Sequence, residues 1–155
     1  LPGLGPSIFL AGSIEMGKAI KWQEDIIESL KDTECIIYNP RRLDWDPTWS
    51  QKKDNPKFNE QVCWEVKHIL MADVVVFYFQ PGTIPYGSVY SIFEFSPISL
   101  WELGLVSKEK KKKIIICCPE GFYRKGNLDI YSGLFNFIAT ENLEDFKNAI
   151  KLAVK

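Results

Sequence analysis

The strongest constraint on the fold is an alternation between short, almost continuously apolar segments and segments with helical periodicity. Three of the apolar runs are SIFLAG (Ser7–Gly12), DVVVFYF (Asp73–Phe79) and KIIICCP (Lys113–Pro119), which are typical of strands buried on both faces. CIIYNP (Cys35–Pro40) and LFNFIAT (Leu134–Thr140) are predicted as two more strands. The pattern therefore predicts a doubly wound α/β fold, in which helices cover both faces of a five-stranded parallel sheet.

Between these runs, apolar residues recur at the three- and four-residue spacing of helices that rest on a sheet. The pattern predicts helices over Lys18–Leu30 and Phe58–Met71, and a final helix that Asn142 caps. Another helix is predicted to begin at Ser96, a suitable N-cap that is followed by a proline. The apolar stripe of the helix that begins at Ser96 contains Glu102, so a carboxylate is expected on a face that should enter the core.

Size and charge limit the function classes that the chain can serve. Its 155 residues predict a single domain over 1–155, and its net charge of −1 argues against a nucleic acid polymer or an anionic membrane as partner. No apolar run approaches the roughly 18 residues of a membrane span. The four cysteines lack metal-ligand spacing and are expected to be free thiols of a cytoplasmic protein that needs neither metal nor cofactor.

Two carboxylates, Glu102 and Glu65, are the candidates for catalysis. Glu65 shares a helical face with Gln61 and His68, beside the apolar stripe of the predicted helix Phe58–Met71. Two acids that face one cleft suggest glycosyl transfer, in which one attacks the anomeric carbon while the other acts on the leaving group. The structural alternatives are an ion pair for Glu102 and a solvated helix surface for Glu65.

The remaining candidates follow the predicted strands, because ligands of doubly wound folds bind beyond the carboxyl ends of the strands. The Gly12-Ser13 turn could offer backbone N–H groups to an anion or a sugar hydroxyl. Arg41 and Arg42 follow the second strand and could hold a phosphate or a base, or form salt bridges instead. Trp22 and Trp64 could stack on a base, and packing in the core is the alternative for both.

An ordered set of motifs resembles the nucleoside 2-deoxyribosyltransferase-like family. These motifs are IFLAGSIE, YNPRRLDWD, EQVCWE followed by ADVVVF, SPISLWELGL and CPEGFYRKGN, and they extend from about Ile8 to Asn127. The resemblance implies a flavodoxin-like sheet and a retaining double displacement at C1′ of a 2′-deoxynucleoside. It also implies that Glu102 is the nucleophile, that Glu65 is the second acid, and that Ser96 contacts the sugar. Ser99, in the same segment, is a further candidate for substrate binding. Gly12-Ser13 matches the loop that holds the 5′ side of the sugar.

Residues 85–95 depart from the family pattern, in which PGTI runs almost directly into SPIS. This apolar, alternating insertion could be a lid, a contact between subunits or a sequence error. The expected partners are a small-molecule nucleoside or nucleotide, a free base and further copies of the chain in a homo-oligomer. A hydrolase of the same N-glycosidic bond and a non-catalytic nucleotide-binding module are the two alternative functions.

Overall fold

Five parallel strands form one sheet in the order β2-β1-β3-β4-β5. The structure, a computed structural model, describes residues 5–12, 20–42, 44, 46, 48–50, 52–81, 112–122 and 125–155. The strands are β1 (Ser7–Gly12), β2 (Ile36–Tyr38), β3 (Val74–Tyr78), β4 (Lys113–Cys117) and β5 (Ile138–Thr140). This order confirms the predicted doubly wound architecture and is the flavodoxin-like one.

Four described helices cover the sheet: α1 (Trp22–Ser29), α2 (Pro56–Met71), α3 (Lys125–Phe135) and α4 (Leu143–Ala153). α1 and α4 pack on one face, where Trp22, Ile26, Phe146 and Ile150 join the core. α2 and α3 pack on the other face through residues such as Ile69 and Leu128. Within the described ranges, every helix is too short or too polar to cross a lipid bilayer.

The ends of α2 and α4 follow from capping chemistry. Asn55 caps α2 by accepting a hydrogen bond from the backbone N–H of Lys57, and Pro56 occupies the first helical position. The helix therefore begins two residues before the predicted Phe58. Asn142 accepts a hydrogen bond from the backbone N–H of Asp145, which confirms the predicted cap of the final helix.

The prediction of a fifth strand from Leu134 to Thr140 was wrong over its first half. Leu134 and Phe135 belong to α3, which the sequence reading did not identify, and only Ile138–Thr140 is a strand. Asn136 separates the two elements in a left-handed conformation with φ of 56°, a backbone geometry that asparagine tolerates and that ends a helix. The alternating apolar residues of LFNF look like a strand because they lie across this junction.

Gly12 ends β1 at a point where two strands approach closely. Its φ is +136°, and a Cβ atom at this position would lie 2.3 Å from the backbone oxygen of Tyr78 on β3. A side chain is excluded here because both the left-handed backbone and the fixed position of β3 oppose it. The glycine thus permits the close approach of β1 and β3 at this point.

We expect Gly12→Ala to destabilise the protein by about 2–5 kcal/mol, the combined effect of left-handed strain and overpacking against a backbone. Chemical denaturation followed by circular dichroism measures this change. The matched control is Gly133→Ala in α3, where nothing lies within 4 Å of the added Cβ. This control should be more stable than the original by about 0.5–1 kcal/mol. Equal effects at the two positions would contradict the close approach of β1 and β3.

Candidate functional site

The carboxyl edge of the sheet brings together several of the residues predicted to bind substrate. β1 and β3 are neighbours, but the chain leaves β1 toward β2 on one side and leaves β3 toward β4 on the other. Such a reversal opens a crevice beyond the ends of the two central strands, where doubly wound folds bind ligands. The described segments around this position are Gly12, Asn39–Arg42 and Phe79–Pro81.

Glu65 is buried beneath this edge on the inner side of α2, where it is only 2% exposed. Its Oε1 accepts a hydrogen bond of 2.7 Å from Nε2 of Gln61, one helical turn closer to the carboxyl edge. The same nitrogen donates to the backbone oxygen of Pro40, just beyond β2, at 3.1 Å. Both hydrogens of the Gln61 amide are therefore used, which fixes its orientation and connects the carboxylate to the loop after β2.

The solvated surface position considered for Glu65 is thus not what the structure shows. Burying a carboxylate is costly, and a hydrogen bond from a neutral amide offsets only part of the lost hydration. Gln61 is the functional candidate that sequence reasoning left undeveloped, although it lies on the same helical face. Its bond to Pro40 depends on the path of a loop that is distant in sequence, so periodicity within α2 could not reveal it.

Arg41 and Arg42 follow β2 as neighbours but point to different surroundings. Arg42 forms a two-pronged ion pair with Asp44, at 2.9 and 2.8 Å, and its guanidinium lies 5.9 Å from the ring centroid of Trp49. These contacts are the salt-bridged alternative of the sequence analysis, and they orient Arg42 within its own loop. Its predicted role in substrate binding receives no support from this geometry.

Arg41 instead reaches the start of α1. Its Nη1 donates to the backbone oxygen of Ile20 at 2.8 Å and to Oε1 of Gln23 at 3.1 Å. The backbone N–H of Ile20 in turn donates to Oε1 of Gln80, which follows β3. Partial burial lowers the pKa of the Arg41 guanidinium, and the negative charge of Glu24 opposes that shift. Arg41 thus links the segment after β2 to the start of α1, and Ile20 links that start to the segment after β3.

The two tryptophans predicted to stack on a base have packing contacts. Trp22 is fully buried in the α1–α4 layer, where its ring centroid lies 5.4 Å from that of Tyr78 and 6.3 Å from that of Phe146. The base-stacking prediction for Trp22 therefore needs correction, because core residues enclose its ring. Trp64 is half-buried on the opposite face and packs against three rings, those of Phe9, Tyr38 and His68. Its contact with substrate stays a prediction.

The other predicted residues lie outside the described part of the chain. They are the nucleophile candidate Glu102, the binding candidates Ser13, Ser96 and Ser99, and the insertion 85–95. The described residues therefore supply one of the two predicted catalytic acids and the carboxyl edge of the sheet on which the site would be built. The roles of the other residues remain predictions from the sequence.

A separate cavity of about 300 Å³ lies at the far side of the carboxyl edge, between β4, β5 and the two helices that flank them. Asp129 and Glu141 lie in its wall, and Lys125 forms ion pairs with both of these carboxylates. Its lining contains none of the predicted site residues. In the part of the chain that the structure describes, no group of three or more His, Cys, Asp or Glu side chains could hold a metal ion.

One comparison with a solved structure supports this architecture. A 2-deoxyribosyltransferase from the psychrotolerant bacterium Bacillus psychrosaccharolyticus has a similar fold, with a TM-score of 0.54 and 19% identity over 96% of this chain and 97% of that chain. A CMP N-glycosidase from Clostridium botulinum gives a TM-score of 0.48 and 18% identity over 96% and 99% of the two chains. No curated protein matches the sequence.

The similar structures indicate the fold, and a family model identifies the family. The model described as nucleoside 2-deoxyribosyltransferase like matches residues 5–122, which is more than half of the chain. The matched region includes β1 to β4 and the buried Glu65–Gln61 pair of α2. The chain therefore belongs to the nucleoside 2-deoxyribosyltransferase-like family.

Proposed function

We propose that this protein is an enzyme that breaks the N-glycosidic bond of nucleosides or their monophosphates and transfers the sugar to another base. Family membership supports a glycosyl-transferring or N-glycosidase enzyme. The observation that carries the proposal furthest is the buried carboxylate of Glu65, which Gln61 holds beneath the carboxyl edge of the sheet. A buried, hydrogen-bonded acid near the ligand-binding edge of an α/β sheet is a feature of catalytic sites.

The proposed reaction is a double displacement at C1′. In the first step, a carboxylate oxygen of Glu102 attacks C1′, the bond from C1′ to the base nitrogen breaks, and its electron pair leaves with the base. Glu65 either acts on the departing base or orients Glu102. In the second step, a nitrogen of the incoming base attacks C1′, which releases the carboxylate of Glu102. Two inversions give net retention at C1′.

The hydrolase alternative uses the same residues with water as the second nucleophile. Whether water or a base reaches the glycosyl-enzyme depends on what the site excludes, so the acceptor must be measured. The binding-module alternative predicts no turnover at all. A pure binder would gain nothing from burying Glu65, since the burial of a carboxylate opposes folding.

One assay tests these possibilities. The protein is incubated with a 2′-deoxynucleoside or its 5′-monophosphate, with and without a second free base, and the products are separated by liquid chromatography. We expect a new nucleoside or nucleotide that carries the second base, with the original base released in equal amount. Free sugar or sugar phosphate would instead identify a hydrolase. Unchanged substrates in every incubation would overturn the enzymatic proposal.

A further inference from the structure

The outward face of α3 exposes large apolar side chains to solvent. Leu128, Tyr131 and Phe135 lie on the opposite face of this helix, where they pack into the core or against it. Ile130 and Leu134 lie on the outward face, one helical turn apart, and are 63% and 70% exposed. Neighbouring exposed apolar side chains are a feature of interaction surfaces, whereas a single one needs no explanation.

Two glycines lie on the same outward face of the helix. Gly126 comes four residues before Ile130 and Gly133 three residues after it, so both share its side of α3. Glycine weakens a helix by about 0.5–1 kcal/mol relative to alanine, and a Cβ atom added at either position would have no described atom within 4 Å. Packing within the described chain therefore does not explain these glycines, whereas the close approach of another helix would.

The residues of this face are complementary to themselves when two copies of α3 run antiparallel. In a contact with two-fold symmetry about Ile130, a residue four positions before it faces a residue four positions after it. Gly126 then lies opposite Leu134 of the partner subunit, and the same pairing recurs on the other side of the axis. The two isoleucine side chains meet at the centre. Each leucine thus has a glycine opposite it, as the packing of ridges into grooves requires.

The charges of α3 also suit contact with a second copy of the chain. A two-fold contact brings a surface against itself, so any net charge on that surface would repel its own copy. The outward residues are all uncharged: Gly126, Asn127, Ile130, Gly133 and Leu134. The two charged residues of the helix, Lys125 and Asp129, form an ion pair with each other at 3.1 Å. A second copy needs no counter-charge on this face, whereas an acidic or basic partner would need one.

We propose that two copies of this chain form a homodimer through the outward face of α3, with Ile130 at the two-fold axis. The helix packs beside the edge strand β5, apart from the crevice beyond β1 and β3, so this inference does not depend on the proposed function. A pair of 11-residue helices is a smaller contact than the roughly 1,200–2,000 Å² of a standard interface. We therefore expect a reversible dimer with a Kd on the order of 10 μM.

Sedimentation equilibrium from about 1 to 100 μM protein measures this dissociation constant. The average mass of the original protein should rise with concentration from that of one chain to that of two. Ile130→Glu places two carboxylates against each other at the axis and should raise the Kd by at least about a hundredfold. The matched control is Leu152→Glu, which adds the same charge on α4 at a leucine that is 68% exposed and should leave the Kd unchanged.

Gly126→Leu tests the pairing of glycine with leucine. A single chain has room for the added side chain, but in the dimer it occupies the place of the partner's Leu134 and should raise the Kd by about tenfold or more. The exchange variant Gly126→Leu/Leu134→Gly again places one leucine opposite one glycine, so its dimer should be tighter than that of Gly126→Leu. Circular dichroism verifies that each variant folds, and the two Gly126 variants decide the matter if Ile130→Glu does not.

Two results would overturn the inference. The first is an original protein that remains monomeric at about 100 μM, because the expected dimer would be the main species at that concentration. The second is a dimer or larger assembly whose dissociation constant is the same in Ile130→Glu and Gly126→Leu, since such an assembly forms through another surface. Either result leaves the proposed function intact, because the experiment measures mass and not turnover.

Discussion

Replacing Glu102 with alanine is expected to lower kcat by at least about a thousandfold while the protein remains folded. The carboxylate is the proposed nucleophile, and without it C1′ has no protein group to attack it. The same change should leave the melting temperature unchanged or raise it slightly, because a carboxylate on the predicted apolar face of a helix opposes folding. Turnover and thermal unfolding are measured on the same preparation.

A small external anion provides a direct test of Glu102 as the nucleophile. Azide or formate can enter the space that the missing carboxylate leaves and attack C1′ in its place, so activity of Glu102→Ala should increase with anion concentration. Glu28→Gln is the surface control: Glu28 forms an exposed ion pair with Lys31, so this variant should retain full activity. Unfolding of Glu102→Ala would make Glu102 a structural residue, and retained activity would show that it is not the nucleophile; either result contradicts the proposed chemistry.

The carboxylate that the anion replaces also forms a covalent intermediate in the proposed reaction. Rapid quenching of the original protein with substrate should therefore reveal an adduct of one sugar residue by intact-protein mass spectrometry. Glu102→Ala should show no such adduct. Turnover without any adduct in the original protein, together with inversion at C1′, would argue for a single displacement.

The strands were predictable because a parallel sheet buried on both faces requires continuous apolar runs. Val74–Tyr78 and Lys113–Cys117 needed no tertiary information beyond this pattern. α3 was missed because its helical signal is weak. Its buried face is formed by Leu128 with the half-buried Tyr131 and Phe135, and its two glycines lower its helical propensity. The three apolar residues nevertheless recur at helical spacing, so the signal was present in the sequence.

The site was predictable only in part. The helical spacing of Trp22 with Ile26 and Leu30 already favours packing, and the structure confirms that these three residues share one core. Arg41 and Arg42 could not be distinguished from sequence, because their partners come from different segments: Asp44 nearby for Arg42, and the distant α1 for Arg41. Such contacts depend on the conformation of a loop, which the local sequence pattern does not predict.

Glu65 is the residue whose replacement should have the second-largest effect. Glu65→Gln keeps the size of the side chain and its ability to accept from Gln61, so we expect the free energy of unfolding to change by less than about 1 kcal/mol. The lost negative charge should lower kcat by about a hundredfold, the usual scale of a positioned acid or base. Steady-state kinetics and chemical denaturation measure the two quantities.

Gln61→Leu tests whether the hydrogen bond from Gln61 holds the carboxylate of Glu65 in place. It deprives Oε1 of Glu65 and the oxygen of Pro40 of their shared donor, so we expect about 2–3 kcal/mol of destabilisation and a lower kcat with a smaller change in KM. Gln61→Asn is too short to reach both acceptors and should behave similarly. A variant that loses stability but keeps its kcat would limit Gln61 to a structural role.

The exchange variant Gln61→Glu/Glu65→Gln separates structure from chemistry most sharply. An amide and a carboxylate again face each other across one helical turn, so much of the hydrogen bonding within the pair can re-form and stability should exceed that of Gln61→Leu. The charge, however, has moved by four residues of α2, about 6 Å along the helix axis. Activity should therefore stay as low as in Glu65→Gln, because a misplaced carboxylate cannot act on the same atoms. Recovery of activity in the exchange variant would show that the site needs only a buried negative charge and not a carboxylate at the position of Glu65.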